Sequence, residues 1–256
     1  MAIINNTMLK GNIAQPPFFD RVGKEQFPFL RFYLAVDSGD LALVLLKGNV
    51  VQPPFFNRFG DAQRAFLKLH LAVDRPKWVT GQSTDFLRVV AYDDLALFSY
   101  PYLQPGSEVL VDGNLRARKR RMKGGKEETV VEVVVGDEID FLSKIKWETG
   151  NAARKRILAE REKDTSGPLR QPYGGFIRVV AFHDLALFTY PYLRVGSLLF
   201  VRGRLQARKR QLANGKRKTV VEVVARDITF LRDTDKERGN AARDRILEAR
   251  KRGADV

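Results

Sequence analysis

The sequence predicts an all-β chain with small helices, folded as two five-stranded Greek-key barrels. Two internal repeats lead to this prediction. The stretch from Phe86 to Arg121 returns without a gap as Phe176 to Gln211, so one half of a domain occurs twice. The stretch from Leu9 to Asp37 returns as Leu46 to Asp74, so the other half also occurs twice. Both halves consist of short β-type runs separated by Gly and Pro turns, which is typical of small barrels.

In both copies the front half opens with an apolar strand that leads into Gly and Asn and ends at a Pro-Pro turn, because proline fixes φ. The runs FLRFYLAV and FLKLHLAV then alternate as a half-buried strand does. Two phenylalanine pairs, Phe18–Phe19 and Phe55–Phe56, follow the turn. We expect all four rings to pack against the core, since paired aromatics after a turn usually cap one.

The back half begins with RVVA, which has an aromatic residue on each side. Because side chains alternate along a strand, both aromatics share a face with the arginine between them. A cation is seldom buried without a partner, so we expect this face to be exposed. Its residues are Phe86, Arg88, Val90 and Tyr92 in the first copy and Phe176, Arg178, Val180 and Phe182 in the second.

A short helix and a basic hairpin complete the back half. The helix LALF follows acidic residues, which predicts N-caps at Asp93 or Asp94 and at Asp184. A long strand then carries Arg and Lys to a Gly-containing tip, and VVEVVV or VVEVVA returns antiparallel to it. No acidic residue follows the cations until Glu127 in the first copy, so we expect them to be available for phosphate contacts.

Each copy closes with a charged helix, GNAARKRILAEREK from Gly150 and GNAARDRILEARKR from Gly239. Asn151 and Asn240 are the predicted N-caps, since asparagine accepts hydrogen bonds from the first turn of a helix. Ala, Ile and Leu form a narrow apolar stripe that suits packing on a barrel. The Pro- and Gly-rich stretch DTSGPLRQPYGG is a predicted linker between the first helix and the second back half.

The four halves follow one another in a nested order of front, front, back and back. This order predicts that one complete domain is inserted into a loop of another. The outer domain then comprises residues 1–38 and 168–256, and the inner domain comprises 39–167 with its helix and linker. The alternative is crossed pairing, in which each front half joins the other back half. Crossed pairing would pass two connections across each other, which folds avoid.

A formal charge of +15 indicates a polyanionic partner, with nucleic acid as the first expectation and an anionic membrane surface as the second. No apolar run approaches the roughly 18 residues of a membrane span, and the N-terminus lacks the pattern of a targeting peptide. We therefore expect no membrane partner and a cytoplasmic protein. The absence of cysteine excludes disulfides and thiolate metal ligands.

Five strands with one small helix between the third and fourth form the pattern of an OB barrel. The segments TDFLRVVAYDDLA, YLQPGSEVLVDGNLRARKR and VVEVVVGDEIDFL closely resemble the bacterial single-stranded DNA-binding protein family in order and spacing. The front halves resemble it more loosely. The resemblance implies a nucleoid-associated protein of bacterial or phage type, with barrels that wrap single strands on their outer face in assemblies of four. A homodimer of two-barrel chains would restore that number; a monomer with internal pseudo-twofold pairing is the alternative.

The resemblance also implies which residues contact DNA. Aromatics that flank RVVA stack on bases in the family, and Trp78 lies in a loop where family members carry another stacking tryptophan. A family aromatic in the basic hairpin is replaced here by Arg120 and Arg210, whose guanidinium groups can still stack. The expected DNA-binding residues are Trp78, Phe86, Arg88, Tyr92, Arg116, Arg118, Lys119, Arg120, Arg121, Phe176, Arg178, Phe182, Arg204, Arg208, Lys209 and Arg210.

The chain departs from the family at its end, EARKRGADV, where the family carries a flexible tail with an acidic tip. We therefore do not expect recruitment of repair and replication enzymes by that route. Two other binding roles stay open: an RNA-binding or primosome-type OB protein, and a structural oligomerisation module that contacts acidic partners.

We expect no enzymatic activity and no cofactor or metal. The two histidines, His70 and His183, do not recur at equivalent positions of the repeats. The acidic residues before the short helices are explained as N-caps. A metal-dependent nuclease would need a second carboxylate cluster, which the sequence does not offer.

Overall fold

The computed structural model describes residues 3–37, 39–60, 64–79, 81–121, 125, 127–144, 147–159, 174–211, 215, 217–232 and 235–251. The described part consists mainly of β-strands with small helices, so the predicted fold class is confirmed. The predicted linker, most of both hairpin tips and the last residues of the chain lie outside the described residues.

The strands are 5 to 15 residues long, and helices follow the first and the third strand of each back half. The strands are β1 (Asn5–Ile13), β2 (Phe18–Val22), β3 (Phe27–Val36), β4 (Ala42–Val50), β5 (Phe55–Phe59), β6 (Arg64–Asp74), β7 (Thr84–Tyr92), β8 (Glu108–Arg121), β9 (Glu127–Phe141), β10 (Gly175–Phe182), β11 (Leu198–Gln211) and β12 (Arg217–Phe230). The helices are α1 (Asp93–Ser99), α2 (Trp147–Ala159), α3 (His183–Thr189) and α4 (Lys236–Lys251), and 3₁₀ turns follow α1 and α3 at Tyr100–Tyr102 and Tyr190–Tyr192.

Strand pairing closes two five-stranded barrels. In the continuous barrel, β4 pairs with β6 and β8, β6 with β7, β8 with β9, and β7 runs parallel to β9. In the discontinuous barrel, β1 pairs with β3 and β11, β3 with β10, and β10 runs parallel to β12, which neighbours β11. The short strands β5 and β2 extend β6 and β3 as hairpins. From these pairings we propose the domain boundaries expected above.

By compactness the chain divides into two units. One comprises Met1–Asn6, Leu43–Tyr173 and Gln206–Val221, and the other comprises Thr7–Ala42, Gly174–Leu205 and Glu222–Val256. The end of the β11–β12 hairpin therefore belongs to the same unit as β4–β9. This hairpin end is where several of the predicted DNA-binding cations lie.

The cores explain which side chains face outward. Along β6, Leu67, Leu69, Leu71 and Val73 are buried, and along β3, Leu30, Phe32, Leu34 and Val36 are buried in the same alternation. Full burial of each such side chain contributes about 1.5–3 kcal/mol. A slip of one residue would expose the whole set, so the register is strongly specified. The residues between them are consequently fixed on the outer face.

The predicted N-caps of the short helices are wrong. The residues that precede α1 and α3 are Tyr92 and Phe182, and neither makes a side-chain cap hydrogen bond. Asp93, Asp94 and Asp184 lie in the first helical turns, where a negative charge complements the helix dipole. Asp93 forms an ion pair with Arg64 at the end of β6. A tertiary partner on the neighbouring strand therefore determines the position of this carboxylate.

The predicted N-caps of the long helices are also wrong, because α2 and α4 begin several residues before Asn151 and Asn240. Each asparagine instead accepts a hydrogen bond of 2.6 Å from a tyrosine hydroxyl of the preceding 3₁₀ turn, Tyr102 or Tyr192. The glycine before each asparagine is buried against the same ring. A Cβ atom on Gly150 would lie 2.2 Å from Tyr102, so only glycine fits this contact.

Replacing Gly150 by alanine is expected to destabilise the protein by about 1–3 kcal/mol, the usual cost of overpacking. This sign is opposite to that of an ordinary helix, where alanine is about 0.5–1 kcal/mol better than glycine. Urea unfolding measures the difference. Ala152→Gly, at an exposed position of α2, is the matched control and should lose only the helix-propensity term. A more stable Gly150→Ala variant would contradict the ring contact.

Candidate nucleic-acid interface

The outer face of the continuous barrel carries aromatics and cations on neighbouring strands. The register of β6 and β7 places Phe66 opposite Tyr92, His70 opposite Arg88 and Ala72 opposite Phe86. Directly opposite residues of an antiparallel pair share a face. Phe86 is 47% exposed, because the small Ala72 beside it leaves its ring open. The structure thus brings Phe86, Arg88 and Tyr92 onto one face, as expected. The expectation that the whole face is exposed is wrong for Val90 and for its counterpart Val180, which are fully buried.

The discontinuous barrel repeats this arrangement on β3 and β10. Phe176 lies opposite Ala35, Arg178 opposite Tyr33, and Phe182 opposite Phe29. Phe176 is 62% exposed and is thus more open than its counterpart in the other barrel. Two apolar rings that stand in water are costly unless they have a ligand, and a flat heterocyclic base is one that such rings can stack on.

We expected Arg116 to extend into solvent. Instead, the buried carboxylate of Glu132 holds it on the outer face. The β8–β9 register places Arg116 opposite Glu132, and the nearest guanidinium nitrogen lies 2.7 Å from the carboxylate. Arg118 donates to the same Glu132 oxygen at 2.7 Å, and Arg116 donates to the Tyr92 hydroxyl at 2.5 Å. Glu132 therefore fixes two arginines and, through one of them, an aromatic ring.

Burial and ion pairing act in opposite directions on Glu132. Burial raises the pKa of this carboxyl. The hydrogen bonds from Arg118 and Arg116 lower the pKa by more than burial raises it, so it lies below the ordinary value. Burial also lowers the pKa of Arg116, and here the hydrogen bonds to Tyr92 and Glu132 raise it above the ordinary value. Both groups are therefore ionised at neutral pH, and the pair holds its charges.

The discontinuous barrel builds its ion pair differently. Gln206 stands at the repeat position of Arg116, and Phe182 replaces Tyr92. Glu222, the counterpart of Glu132, pairs instead with Arg178 at 2.9 Å, and both side chains are buried. Arg204 is buried as well. Arg116 and Arg178 are therefore each held by a buried glutamate, and both are largely withdrawn from solvent, as Arg204 is.

Other hairpin cations have acidic partners that the one-dimensional sequence did not indicate. Lys119 pairs with Glu127 at 3.2 Å, and Glu128 forms ion pairs with Arg120 at 3.8 Å and with Lys218 at 3.2 Å. These acids follow in the sequence only after the turn, but the antiparallel register brings them opposite the cations. Exposed ion pairs of this kind contribute only about 0–1 kcal/mol, so a phosphate can displace the carboxylate at little cost.

The rest of the predicted cations lie on the exposed ends of the hairpins. Arg121, Lys209 and Arg210 are exposed, and Arg208 is half-buried. These ends, together with the exchangeable pairs at Lys119 and Arg120, provide the positive charge of the interface. Arg88 adds to this positive charge between the aromatics, and His70 lies opposite it as a neutral imidazole at neutral pH. Burial is the first cause that lowers the pKa of His70, and the positive charges of Arg88 and Lys68 lower it further.

Trp78 is 74% exposed in the loop between β6 and β7, and a buried ion pair fastens the base of this loop. Arg75 donates to both carboxylate oxygens of Asp85, at 2.9 and 2.7 Å. Asp85 also accepts from the Ala207 backbone N–H at 2.7 Å, and Arg75 donates to the Ala207 carbonyl at 3.1 Å. The pair thus anchors the β11–β12 hairpin end, which lies in the same compact unit, to the loop that carries Trp78.

Sequence reasoning missed Arg75 and Asp85, although one signal was present. The repeat positions of these two residues hold Ser38 and Gly175, so neither charge is required by the barrel itself. A pair of opposite charges that appears in only one copy indicates a contact that the duplication did not create.

The expectation that all four turn phenylalanines pack on the core is wrong for two of them. Phe19 stacks on Tyr190 and Phe56 on Tyr100, each with ring centroids 4.7 Å apart. Phe18 and Phe55 point outward and are 42% and 48% exposed. Consecutive residues of a strand face opposite sides, so one member of each pair has to leave the core.

The described residues contain neither a candidate metal site nor a candidate membrane-spanning helix. No group of three or more His, Asp or Glu side chains is placed to hold a metal ion in the ranges given above. Among the described helices, none is long and apolar enough to cross a membrane.

The sequence profile of the Single-strand binding protein family matches residues 41–142 and again 146–231. A protein of Thermotoga maritima described as "Single-stranded DNA-binding protein" is 33% identical over 85 residues, which are 33% of this chain and 60% of that protein. The chain therefore spans less than two thirds of this relative.

Two crystal structures share the fold. The wild-type single-stranded DNA binding protein from Thermus aquaticus superposes with a TM-score of 0.52 at 21% identity, and the match covers 75% of this chain and 94% of that one. A deletion mutant of the same protein gives a TM-score of 0.52 at 20% identity, with 75% and 95% covered.

Proposed function

The chain belongs to the single-strand binding protein family, and from this premise we propose that it binds single-stranded DNA without sequence preference. Its role is to coat and protect exposed strands during replication, repair or recombination. One observation carries the proposal. Both barrels present an exposed phenylalanine, Phe86 or Phe176, on the outer face beside an arginine whose position is fixed by the strand register.

Stacking supplies the part of the binding that distinguishes single strands from duplex. Phe86 and Phe176 are open enough to receive an unpaired base, and Tyr92 and Phe182 lie farther along the same strands. Base–aromatic stacking contributes about 1–3 kcal/mol per base and tolerates any base, because every base has a π-face. A base inside a duplex is already stacked and paired, so it gains nothing here.

Phosphate contacts supply the remaining affinity. The exposed cations of the two hairpins include Lys119, Arg120, Arg121, Lys209 and Arg210. Trp78 in its loop is a further stacking residue of the proposed path. Cations that contact phosphates release condensed counterions, so affinity falls as salt increases. Neither term reads base identity, which is why we propose coating of strands over recognition of a sequence.

The family premise also supports a cytoplasmic homodimer that assembles four barrels. The binding needs neither a cofactor nor a metal ion, since stacking and phosphate neutralisation use the side chains alone. RNA binding would also use base stacking and phosphate contacts. The titration that tests the proposal therefore includes an RNA strand.

A titration of oligothymidine of about 35 nucleotides, its duplex form and the uridine equivalent at several salt concentrations tests the proposal. This length exceeds the roughly 4–16 nucleotides that one OB barrel covers. We expect tight binding of the single strand with a log–log salt slope of roughly −4 to −7, from about six to ten phosphate contacts. Equal binding of all three ligands, abolished by salt, would show that the protein only attracts polyanions. A preference for the uridine strand would indicate an RNA-binding protein.

A further inference from the structure

An aromatic surface lies next to the proposed stacking residues and has no assigned role. On the hairpin β5–β6 it consists of Phe55, Phe59 and Phe66, and we name it the phenylalanine hairpin of the continuous barrel. The ring centroids of Phe66 and Tyr92 are 5.3 Å apart, and Phe59 lies 6.3 Å from both. Phe55 lies 6.4 Å from Phe66. The cluster therefore continues directly from Tyr92 away from Phe86.

The discontinuous barrel has the same surface on β2–β3, formed by Phe18, Phe27 and Phe29. The centroids of Phe29 and Phe182 are 5.4 Å apart, and those of Phe18 and Phe29 are 6.5 Å apart. Phe27 contacts the ring of His183 at 4.7 Å. In both barrels, two of the three hairpin rings are exposed large hydrophobics, which a soluble surface does not ordinarily group together.

The third phenylalanine has changed strands between the two copies. In the continuous barrel Phe59 on β5 lies opposite Arg64, and in the discontinuous barrel Val22 on β2 lies opposite Phe27. The two positions of this cross-strand pair thus exchange the ring. The partner changes accordingly, because Arg64 pairs with Asp93 whereas Phe27 contacts His183, which is the repeat equivalent of Asp93. Both barrels therefore have one phenylalanine in this cross-strand pair, on β5 in the continuous barrel and on β3 in the discontinuous one.

Cations lie directly over the outer rings. The Lys68 ammonium is 4.6 Å from the centroid of Phe55, and the Arg31 guanidinium is 4.4 Å from the centroid of Phe18. A surface for an apolar protein partner does not need these charges. A ligand that has flat apolar groups along an anionic backbone matches rings and cations together, and a single nucleic-acid strand is such a ligand.

We infer that the phenylalanine hairpin of each barrel is a further base-stacking subsite, which lengthens the path of a single strand beyond Tyr92 or Phe182. This inference rests on the proposed function. It commits the surface to nucleotides of the same strand that stacks on Phe86 or Phe176. Lys68 and Arg31 then contact the phosphates that join these nucleotides to the rest of the strand.

The double variant Phe18→Ala/Phe55→Ala tests the inference. Both rings are exposed, so folding should be little affected. We expect affinity for a long oligothymidine to fall by about 5-fold to about 150-fold per ring, from about 1–3 kcal/mol per stacked base. The number of nucleotides covered per chain, from fluorescence titration at stoichiometric protein, should also decrease. Phe188→Ala is the matched control, because Phe188 on α3 is 40% exposed and is not a member of the ring cluster, and it should bind as the wild type does.

Three outcomes separate the inference from its premise. Failure of the wild type to bind single strands would overturn the proposed function itself. Loss of binding in a Phe86→Ala/Phe176→Ala variant, with unchanged affinity and coverage in Phe18→Ala/Phe55→Ala, would overturn the inference alone. A changed sedimentation coefficient of the DNA-free hairpin variant, with unchanged coverage, would also overturn it, since the surface would then contact a second copy of the chain.

Photochemical cross-linking provides a measurement that no folding defect can imitate. Wild-type protein is bound to oligothymidine containing 5-iododeoxyuridine, irradiated and digested, and the cross-linked peptides are identified by mass spectrometry. We expect cross-links at Phe55 or Phe59 and at Phe18 or Phe27, in addition to those at Phe86 and Phe176. Cross-links confined to the last two would contradict the additional subsites.

Discussion

Replacement of Phe86 and Phe176 by alanine together is expected to weaken single-strand binding by about 2–6 kcal/mol, the stacking contribution of two bases. This corresponds to a loss of about 30-fold to about 20,000-fold in affinity. The size of the effect follows from position: each ring lies on the outer face beside a small alanine, Ala72 or Ala35, where a base can approach it. Fluorescence titration with oligothymidine at constant salt measures the loss.

Two observations would separate stacking from damage to the fold. The rings are largely exposed, so the unfolding free energy of the double variant should stay close to that of the wild type. Phe86→Trp/Phe176→Trp should retain or improve binding, because the larger indole also stacks. If the alanine variant binds oligothymidine with wild-type affinity, the face formed by Phe86 and Phe176 is not the binding surface.

Asp85→Ala is expected to cause the largest loss of stability, about 3–5 kcal/mol, as is usual when one partner of a buried ion pair is removed. Asp85 is fully buried and is held by Arg75 and by the Ala207 backbone N–H. Without the carboxylate, the guanidinium of Arg75 and the N–H of Ala207 both lose a partner in a place that water does not reach. Urea unfolding followed by circular dichroism measures the change.

An exposed pair provides the control for this prediction. Arg202 and Asp227 are 3.0 Å apart, and both side chains are well exposed, so Asp227→Ala should cost no more than about 1 kcal/mol. Equal and small losses for the two aspartates would show that the Arg75–Asp85 pair is hydrated in solution. The double variant Arg75→Met/Asp85→Leu should recover part of the loss, because it leaves no unpaired charge in the buried site.

The outer face could be predicted because local rules and the duplication agree there. Alternation along RVVA places Phe86, Arg88 and Tyr92 on one side, and the second copy repeats the pattern with Phe176, Arg178 and Phe182. The all-β class followed from the same short runs. The outer face and the all-β class both depend on residues that are close together in the sequence, so the sequence alone is enough to predict them.

The ion pairs could not be predicted because they depend on partners across strands. Glu132 meets Arg116 only through the register of a long hairpin, and a shift between Val111 and Gly113 alters that register. Asp85 meets Ala207, which lies 122 positions later in the sequence. The N-caps failed for a related reason: asparagine in GNAAR has a strong local preference for a cap, but the contact with Tyr102 decides where Asn151 lies.

Glu132 has one more consequence, which concerns the entropy of binding. A free arginine on a surface has about 2 kcal/mol of rotamer entropy, which a ligand must overcome when it immobilises the side chain. Arg116 and Arg118 have already lost this freedom in the folded protein, and the bond from Arg116 to the Tyr92 hydroxyl restrains the ring as well. A single strand therefore binds to a preorganised surface, and a larger part of the free energy of each contact contributes to the net affinity.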